Sequence, residues 1–430
     1  MPVIERPNIL LCLFDSLGAA KSGLPDSADG LSTLSELCSN GVYFNRAYTP
    51  CPESSPARAS LFTGLDPGVH GLWTNGVALP DSEKTFAQRL ALAGYSNYLA
   101  GRYQLAGVSR WTTEQARQGE FSGMDWAHGP LHRSRQNVYL EWLKNTAPDQ
   151  YSQIFTTQAD PDNTIATEQQ RTALTALPNE LSFNHWVGQC VGQWIDSQSK
   201  DRPFMAIAGF SVGDRLGAEP HPETDGEGLD SLALKQADDA IGRLLQRLAS
   251  SNRVQDTVVI VTSARGNADS PNAASALNEN SIRVPLLIYG NDYQAQRVDG
   301  LVSTMDIAPT VLDIAGVPTG ARMQGKSLLG VLDGLTALRD WGMSRTRSSL
   351  SSGARNWQTA LCTRTFKLVV IHDEQQAETL KLFNLKTDPL EQKNLAGMEN
   401  YAAELEQMID QMIDSRCALE DRTEPRIAEF

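Results

Sequence analysis

Two serines and an arginine stand where this chain could grip a negatively charged group. They lie in Cys51-Pro-Glu-Ser-Ser-Pro-Ala-Arg-Ala-Ser-Leu-Phe-Thr-Gly64. Pro56 suits the first turn of a helix, Ala57, Ala59, Leu61 and Phe62 continue it, and Gly64 stops it. Ser54 and Ser55 therefore fall at a helix mouth, where backbone N–H groups lack partners within the helix and favour an anion. Arg58, one turn further in, carries a fork of donors suited to a tetrahedral oxyanion. The same serines would equally cap an ordinary buried helix. A carboxylate, Asp15, ends the apolar run Asn8-Ile-Leu-Leu-Cys-Leu-Phe14. Such a run reads as a central parallel strand covered on both faces, and open α/β sheets hold their sites at the C-terminal ends of these strands. His128 and His132 are four apart, but Gly129 and Pro130 between them break a helix, so the pair does not read as metal ligands. Cys12, Cys38, Cys51, Cys190, Cys362 and Cys417 show no metal-binding spacing, and reduced thiols are expected.

The elements that must position these groups follow from length and pattern. A chain of 430 residues is too long for one simple core and predicts a large domain with a smaller one. A net charge of -14 argues against nucleic acid or an anionic membrane surface as the main partner. No run approaches the ~18 apolar residues of a spanning helix, and no basic stretch followed by an apolar one opens the sequence. A cytoplasmic protein is the expectation. Further strands are predicted at Gly41–Tyr48, Gly94–Gly101, Arg202–Phe210 and Thr257–Ser263, with helices at Ser82–Leu92, Phe183–Asp196 and Ala233–Leu248. Residues 108–180 read as a polar, irregular insertion. Residues 330–355 read as a boundary closed by a Ser-rich linker. Beyond it two strands, Thr365–Ile371 and Leu380–Leu385, and a helix, Tyr401–Ile413, form a small domain.

The serine-bearing stretch resembles the sulfatase signature: a residue matured to formylglycine, any residue, Pro, a small residue, Arg, then Ser-Leu-x-Thr-Gly. Here that is Ser54, Ser55, Pro56, Ala57, Arg58 and Ser60-Leu61-Phe62-Thr63-Gly64, with the nucleophile position on Ser54. Other segments follow in the family's order over residues 8–395, including Glu279-Asn-Ser-Ile-Arg283-Val-Pro and the stretch 302–318, which matches the family's sheet-packing helix. The resemblance implies the alkaline-phosphatase/sulfatase fold: an α/β domain over 1–345 with a mixed, mainly parallel sheet between helices, then a small antiparallel sheet with a helix over 355–415. The tail, 416–430, is similar to those of the choline-sulfatase and phosphonate-monoesterase branch and implies a homo-oligomer. His70 and Arg283 match family positions and are expected to be structural.

The chain departs from the family where the chemistry lies. The family's paired Asp metal ligands read Asp15-Ser16, and its Ser-Asp-His/Asn-Gly segment reads Ser263-Ala264-Arg265-Gly266. Arginine has no lone pair to give a metal, so Asp15 and Arg265 are expected to pair in the vacated cation position. Arg102 and Gln104 replace a Lys and a His at the substrate's sulfate; an amide cannot transfer a proton near neutral pH. The Lys expected upstream of Glu279 is missing. A Pro-His pair that contacts substrate in relatives aligns either with Gly213-Asp214 or with Pro220-His221-Pro222. Three readings result. The first is a pseudoenzyme that keeps an anion-binding cradle of Ser54, Ser55, Arg58, Arg102, Gln104 and His221. The second is an active sulfuric-ester or phosphate/phosphonate-ester hydrolase, which would need calcium or another divalent cation. The third is a structural or regulatory subunit. The first calls for no cofactor and for a small anion, or a sulfated or phosphorylated small molecule, as ligand.

Overall fold

A computed structural model describes residues 6–25, 30–107, 114–132, 136–155, 167–212, 226–267, 276–334, 339–349, 355–373 and 376–420. Nine strands build the main sheet: β1 (Asn8–Ser16), β2 (Val42–Tyr48), β3 (Ser96–Gly101), β4 (Gly123–Trp126), β5 (Phe204–Phe210), β6 (Thr257–Arg265), β7 (Arg283–Val284), β8 (Leu286–Tyr289) and β9 (Gln296–Ser303). Their order is β4-β3-β5-β1-β6-β8-β2-β7, with β9 also on β2. The run from β4 to β6 is parallel, and β8 turns the direction. This is the mixed, mainly parallel α/β sheet expected.

The uninterrupted apolar run of β1 has its reason in two cores. Leu10, Cys12 and Phe14 face helices Phe183–Asp196 and Gly226–Ser250, while Ile9, Leu11 and Leu13 face helices Ser54–Thr63, Phe86–Leu92 and Ile307–Ile314. Alternate side chains leave a strand on opposite sides, so burial on both demands an apolar residue at every position.

The small sheet has four antiparallel strands, β10 (Gly342–Ser349), β11 (Arg355–Cys362), β12 (Phe366–Asp373) and β13 (Gln376–Asn384), in that order. It too is covered twice. Leu368 and Val370 of β12 pack with Met408 and Met412 of the helix Ala402–Glu420. Val369 packs with Tyr48, Ile282 and Leu301 of the large domain. Lys367, fully buried between the domains, is neutralised by Glu279 at 3.2 Å and Glu391 at 2.7 Å.

Several expectations are corrected. The described residues within 108–180 are regular rather than irregular: β4 extends the main sheet, and helices span Val138–Thr146, Pro148–Ile154 and Glu168–Thr175. The segment 330–355 is not only a linker, because β10 occupies 342–349. Its polarity misled: Ser344, Arg345 and Thr346 are buried, with Ser344 Oγ donating to the Thr49 carbonyl at 2.6 Å and Arg345 paired with Asp66. The last helix runs on to Glu420, past the expected start of the tail at 416, and residues 421–430 lie outside the described part. The helix near Ser82 begins at Phe86, where Thr85 and Gln88 form a capping box. Asp238 of the helix Gly226–Ser250 is buried and accepts from the Thr33 and Leu34 N–H groups at 3.1 and 2.7 Å. No helix among the described residues is long and apolar enough to cross a membrane.

Candidate functional site

The chemistry-bearing residues gather at the C-terminal ends of β1, β3, β4 and β6. Asp15 and Ser16 close β1, and Ser16 stands in register with Arg265, the last residue of β6. Arg102 follows β3 directly. His128 follows β4, whose exit is held to β3 by the Ala127 N–H on the Gly101 carbonyl at 3.0 Å. The helix Ser54–Thr63 lies below them with every residue buried, ended by Gly64 at φ 70.

That helix opens on Glu53, in extended conformation, without a side-chain cap. Ser54 is therefore the first helical residue rather than the cap, and it is 4% exposed. The Ser55 N–H donates to Asn75 Oδ1 at 2.9 Å, while the buried Ser55 hydroxyl finds no partner among the described residues. Glu53 itself accepts from Thr346 of β10 at 3.3 Å, which brings the small sheet to the helix mouth; burial raises its carboxyl. Trp73, two residues before Asn75, stacks on Arg347 at 3.9 Å, and Trp357 stands over the same guanidinium at 4.9 Å.

Asp15 does not pair with Arg265 as expected. Its two carboxylate oxygens are taken by Arg58, at 3.2 Å, and by Arg102. Burial works to raise its pKa, but Arg102, Arg58 and Arg265 together outweigh burial and hold it below the ordinary carboxylate range. Arg265 instead turns to the helix mouth, where its Nε–H donates to Ser54 Oγ at 3.0 Å. The pairing expectation failed because it weighed two partners, whereas Arg58 and Arg102 both reach the carboxylate from neighbouring elements. Arg58 also donates to the Arg102 carbonyl at 3.0 Å, and its buried Nε is without a partner among the described residues. Three guanidinium groups thus face one carboxylate around Ser54.

A dication does not fit this donor set. Both Asp15 oxygens are engaged by cations, the Ser16 hydroxyl donates to the Gly266 carbonyl at 3.0 Å, Ala264 offers no donor atom, and Arg265 brings positive charge. Hard dications seek several oxygen ligands, mostly anionic.

The other expected residues separate. Gln104 sits at φ 60, and its amide oxygen is buried without a partner among the described residues. The backbone around it is occupied by a group not anticipated, Glu114. This carboxylate accepts from the N–H groups of Gln104 at 2.7 Å, Leu105, and Ala106 at 2.8 Å, and from Trp126 Nε1 at 3.2 Å. Consecutive N–H groups in such a turn form an anion-binding concavity, here filled from within the chain. His70 is a turn residue: its Nδ1 accepts from the Leu72 N–H at 3.1 Å, and its Nε2 lies 3.0 Å from Ser60 Oγ. Arg283 donates to the Asn45 carbonyl at 3.0 Å and fastens β7 to β2. His221, with Gly213, Asp214, Pro220 and Pro222, lies outside the described residues.

Two residues set aside on spacing return here. The rings of His128 and His132 meet edge to face with centroids 4.5 Å apart, and the Arg102 Nε–H donates to the His128 carbonyl. The available signal was the strand-end position of His128, after the short run Met124-Asp-Trp-Ala127.

A family profile described as Sulfatase matches residues 7–317, and one described as N-sulphoglucosamine sulphohydrolase, C-terminal, matches 275–418. Uncharacterized sulfatase YidJ of Escherichia coli (strain K12) is 24% identical, across 96% of this chain and 87% of that one. Multifunctional alkaline phosphatase superfamily protein PehA of Trinickia caryophylli is 25% identical, across 98% and 97%. Among solved structures, the phosphonate monoester hydrolase of Agrobacterium radiobacter has a TM-score of 0.77 at 20% identity, covering 97% of each chain. BT4656, solved in complex with its substrate D-glucosamine-2-N,6-O-disulfate, has a TM-score of 0.69 at 16% identity, over 98% of this chain and 100% of that one. At such identities these structures speak for the fold alone.

Proposed function

Since this chain belongs to the sulfatase family, we propose that its centre binds a small tetrahedral oxyanion, free or carried on a sulfated or phosphorylated small molecule, without a divalent cation and with ester hydrolysis impaired. One observation carries the reading: the carboxylate that would anchor a cation, Asp15, is held by Arg58 and Arg102, and Arg265 occupies Ser54. In a metal-dependent hydrolase the cation makes the nucleophile at neutral pH and stabilises the charge that develops on the transferred group. Guanidinium groups take over only the second task. They present forked donors to an oxyanion, but they accept no proton from Ser54 near neutral pH. Binding survives such a replacement better than turnover does.

The purified protein should bind inorganic sulfate in isothermal titration and show no calcium binding. It should hydrolyse aryl sulfates, phosphates and phosphonates no faster than an Arg58→Ala control, with calcium, magnesium, manganese or zinc added. The Ser54 peptide from protein made in its native host should carry an unmodified serine by mass spectrometry. Metal-dependent turnover abolished by Asp15→Asn or Ser54→Ala would overturn the reading in favour of an active hydrolase.

A further inference from the structure

Beside the arginines, the two imidazoles of His128 and His132 share a loop held by Asn137 and Arg102. Asn137 Nδ2 donates to the carbonyls of both Gly129, at 2.8 Å, and His132, at 2.9 Å. Arg102 clasps the loop at the His128 carbonyl while its other nitrogen holds Asp15. Each ring nonetheless leaves a buried Nδ1 with no hydrogen-bond partner among the described residues. Buried polar nitrogens are seldom left so, because an unmade hydrogen bond costs about 1–3 kcal/mol. The two rings, with centroids 4.5 Å apart and next to Arg102, thus offer two uncommitted ring nitrogens to a polar ligand.

The ligand class follows from the charges that face the rings. Around His128 stand Arg102, His132, Asp15 and Arg58, and around His132 stands Arg102. The guanidinium beside both rings opposes a metal cation, so the pair is not a metal site. We propose that His128 and His132 are ligand-contacting residues of the cradle, which take up a proton as a doubly charged oxyanion binds and so favour dianions over monoanions. The proposal rests on the anion-binding reading given above.

In the free protein, burial first, and then Arg102, lowers both imidazoles, His132 to about 4 and His128 well below its usual value. A dianion placed against them reverses the local field and raises them toward neutrality. Between the free and bound pKa values, each unit of falling pH then tightens binding by up to about tenfold per proton taken up. The proton comes from solvent and rests on an imidazole nitrogen; no bond is made or broken in the ligand.

Inorganic sulfate is the clean probe, because it remains a dianion across this range and cannot itself supply the effect. Sulfate binding is measured by isothermal titration between pH 5 and 8, in buffers of different ionisation enthalpy, which reports the protons taken up by the unaltered protein. Proton uptake near pH 6, with affinity rising about tenfold per pH unit toward pH 5, is the expected result. In a His128→Gln/His132→Gln variant, sulfate should still bind at pH 8 while the pH dependence vanishes. Sulfate binding with no proton uptake overturns the histidine proposal and leaves the cradle standing. Uptake that persists in the double variant assigns the proton elsewhere, and also overturns it. Failure of the unaltered protein to bind sulfate at any pH overturns both readings together.

Discussion

His70 illustrates how a single side chain ties structure to solution behaviour. It is buried, accepts a hydrogen bond on one ring nitrogen, and is pushed by that burial down to about 3. The unfolded chain takes up a proton below about pH 6.5 that the folded chain refuses, so stability falls as pH drops from there toward 3. His70→Gln should remove about 2 kcal/mol of the loss between pH 6.5 and 5, read from urea midpoints at the two values; an unchanged slope would show that His70 does not titrate as its burial requires. At this scale the sequence revealed identities better than partners. The signature made Ser54 and Arg58 visible, and strand ends marked Asp15 and Arg265. Which guanidinium would reach Asp15 depended on how β1, β3 and the Ser54–Thr63 helix converge, and no local pattern encodes that. Glu114 was hidden for the same reason: apart from Trp126 Nε1, its partners are backbone N–H groups, which leave no trace in side-chain identity.

Secondary-structure elements were legible wherever burial imposed a pattern. The central strands β1, β5 and β6 carry unbroken apolar runs, Ile9–Phe14, Phe204–Ala208 and Val258–Val261, because helices cover both faces. β10 escaped because Met343 is its one large apolar residue, while buried Ser344, Arg345 and Thr346 are polar and held by tertiary partners, so hydrophobic periodicity had little to register. β4 is only four residues long and lacks its own apolar signature. The junction of β3 with β5 offers a direct test of how elements aim the site. Gly101, the last residue of β3, has φ 97, and a Cβ added there would collide with the Gly209 carbonyl of β5. Gly101→Ala should therefore both destabilise the fold, by about 1–3 kcal/mol, and displace Arg102, the next residue. Sulfate affinity measured well below the melting transition should drop at least fivefold; retained affinity would mean that Arg102 is aimed by its own contacts and not by the strand.

Across the whole molecule, the small sheet is as much a lid on the large domain's core as a domain of its own. Its inner face covers Tyr48, Ile282 and Leu301, and its ion triad at Lys367 is completed by Glu279 from the other side. A chain cut before Gly342 would bare that apolar surface and leave Glu279 without its buried counter-charge. It should lose its near-ultraviolet circular dichroism and bind a hydrophobic dye; a truncated chain with native dichroism would show that the large domain stands alone. The expected architecture was readable over nearly the full length because the signature segments occur in order, while the interlocking of the two domains emerged only in three dimensions. The same molecule carries a net charge of -14, yet gathers Arg58, Arg102 and Arg265 around one carboxylate. Those positive charges are covalently part of the polypeptide. They arrive when the chain is synthesised, compete with no other protein for scarce ions, and survive any chelator. On the anion-binding reading proposed above, the centre would be charged for its ligand from the moment of folding, whatever the supply of trace elements.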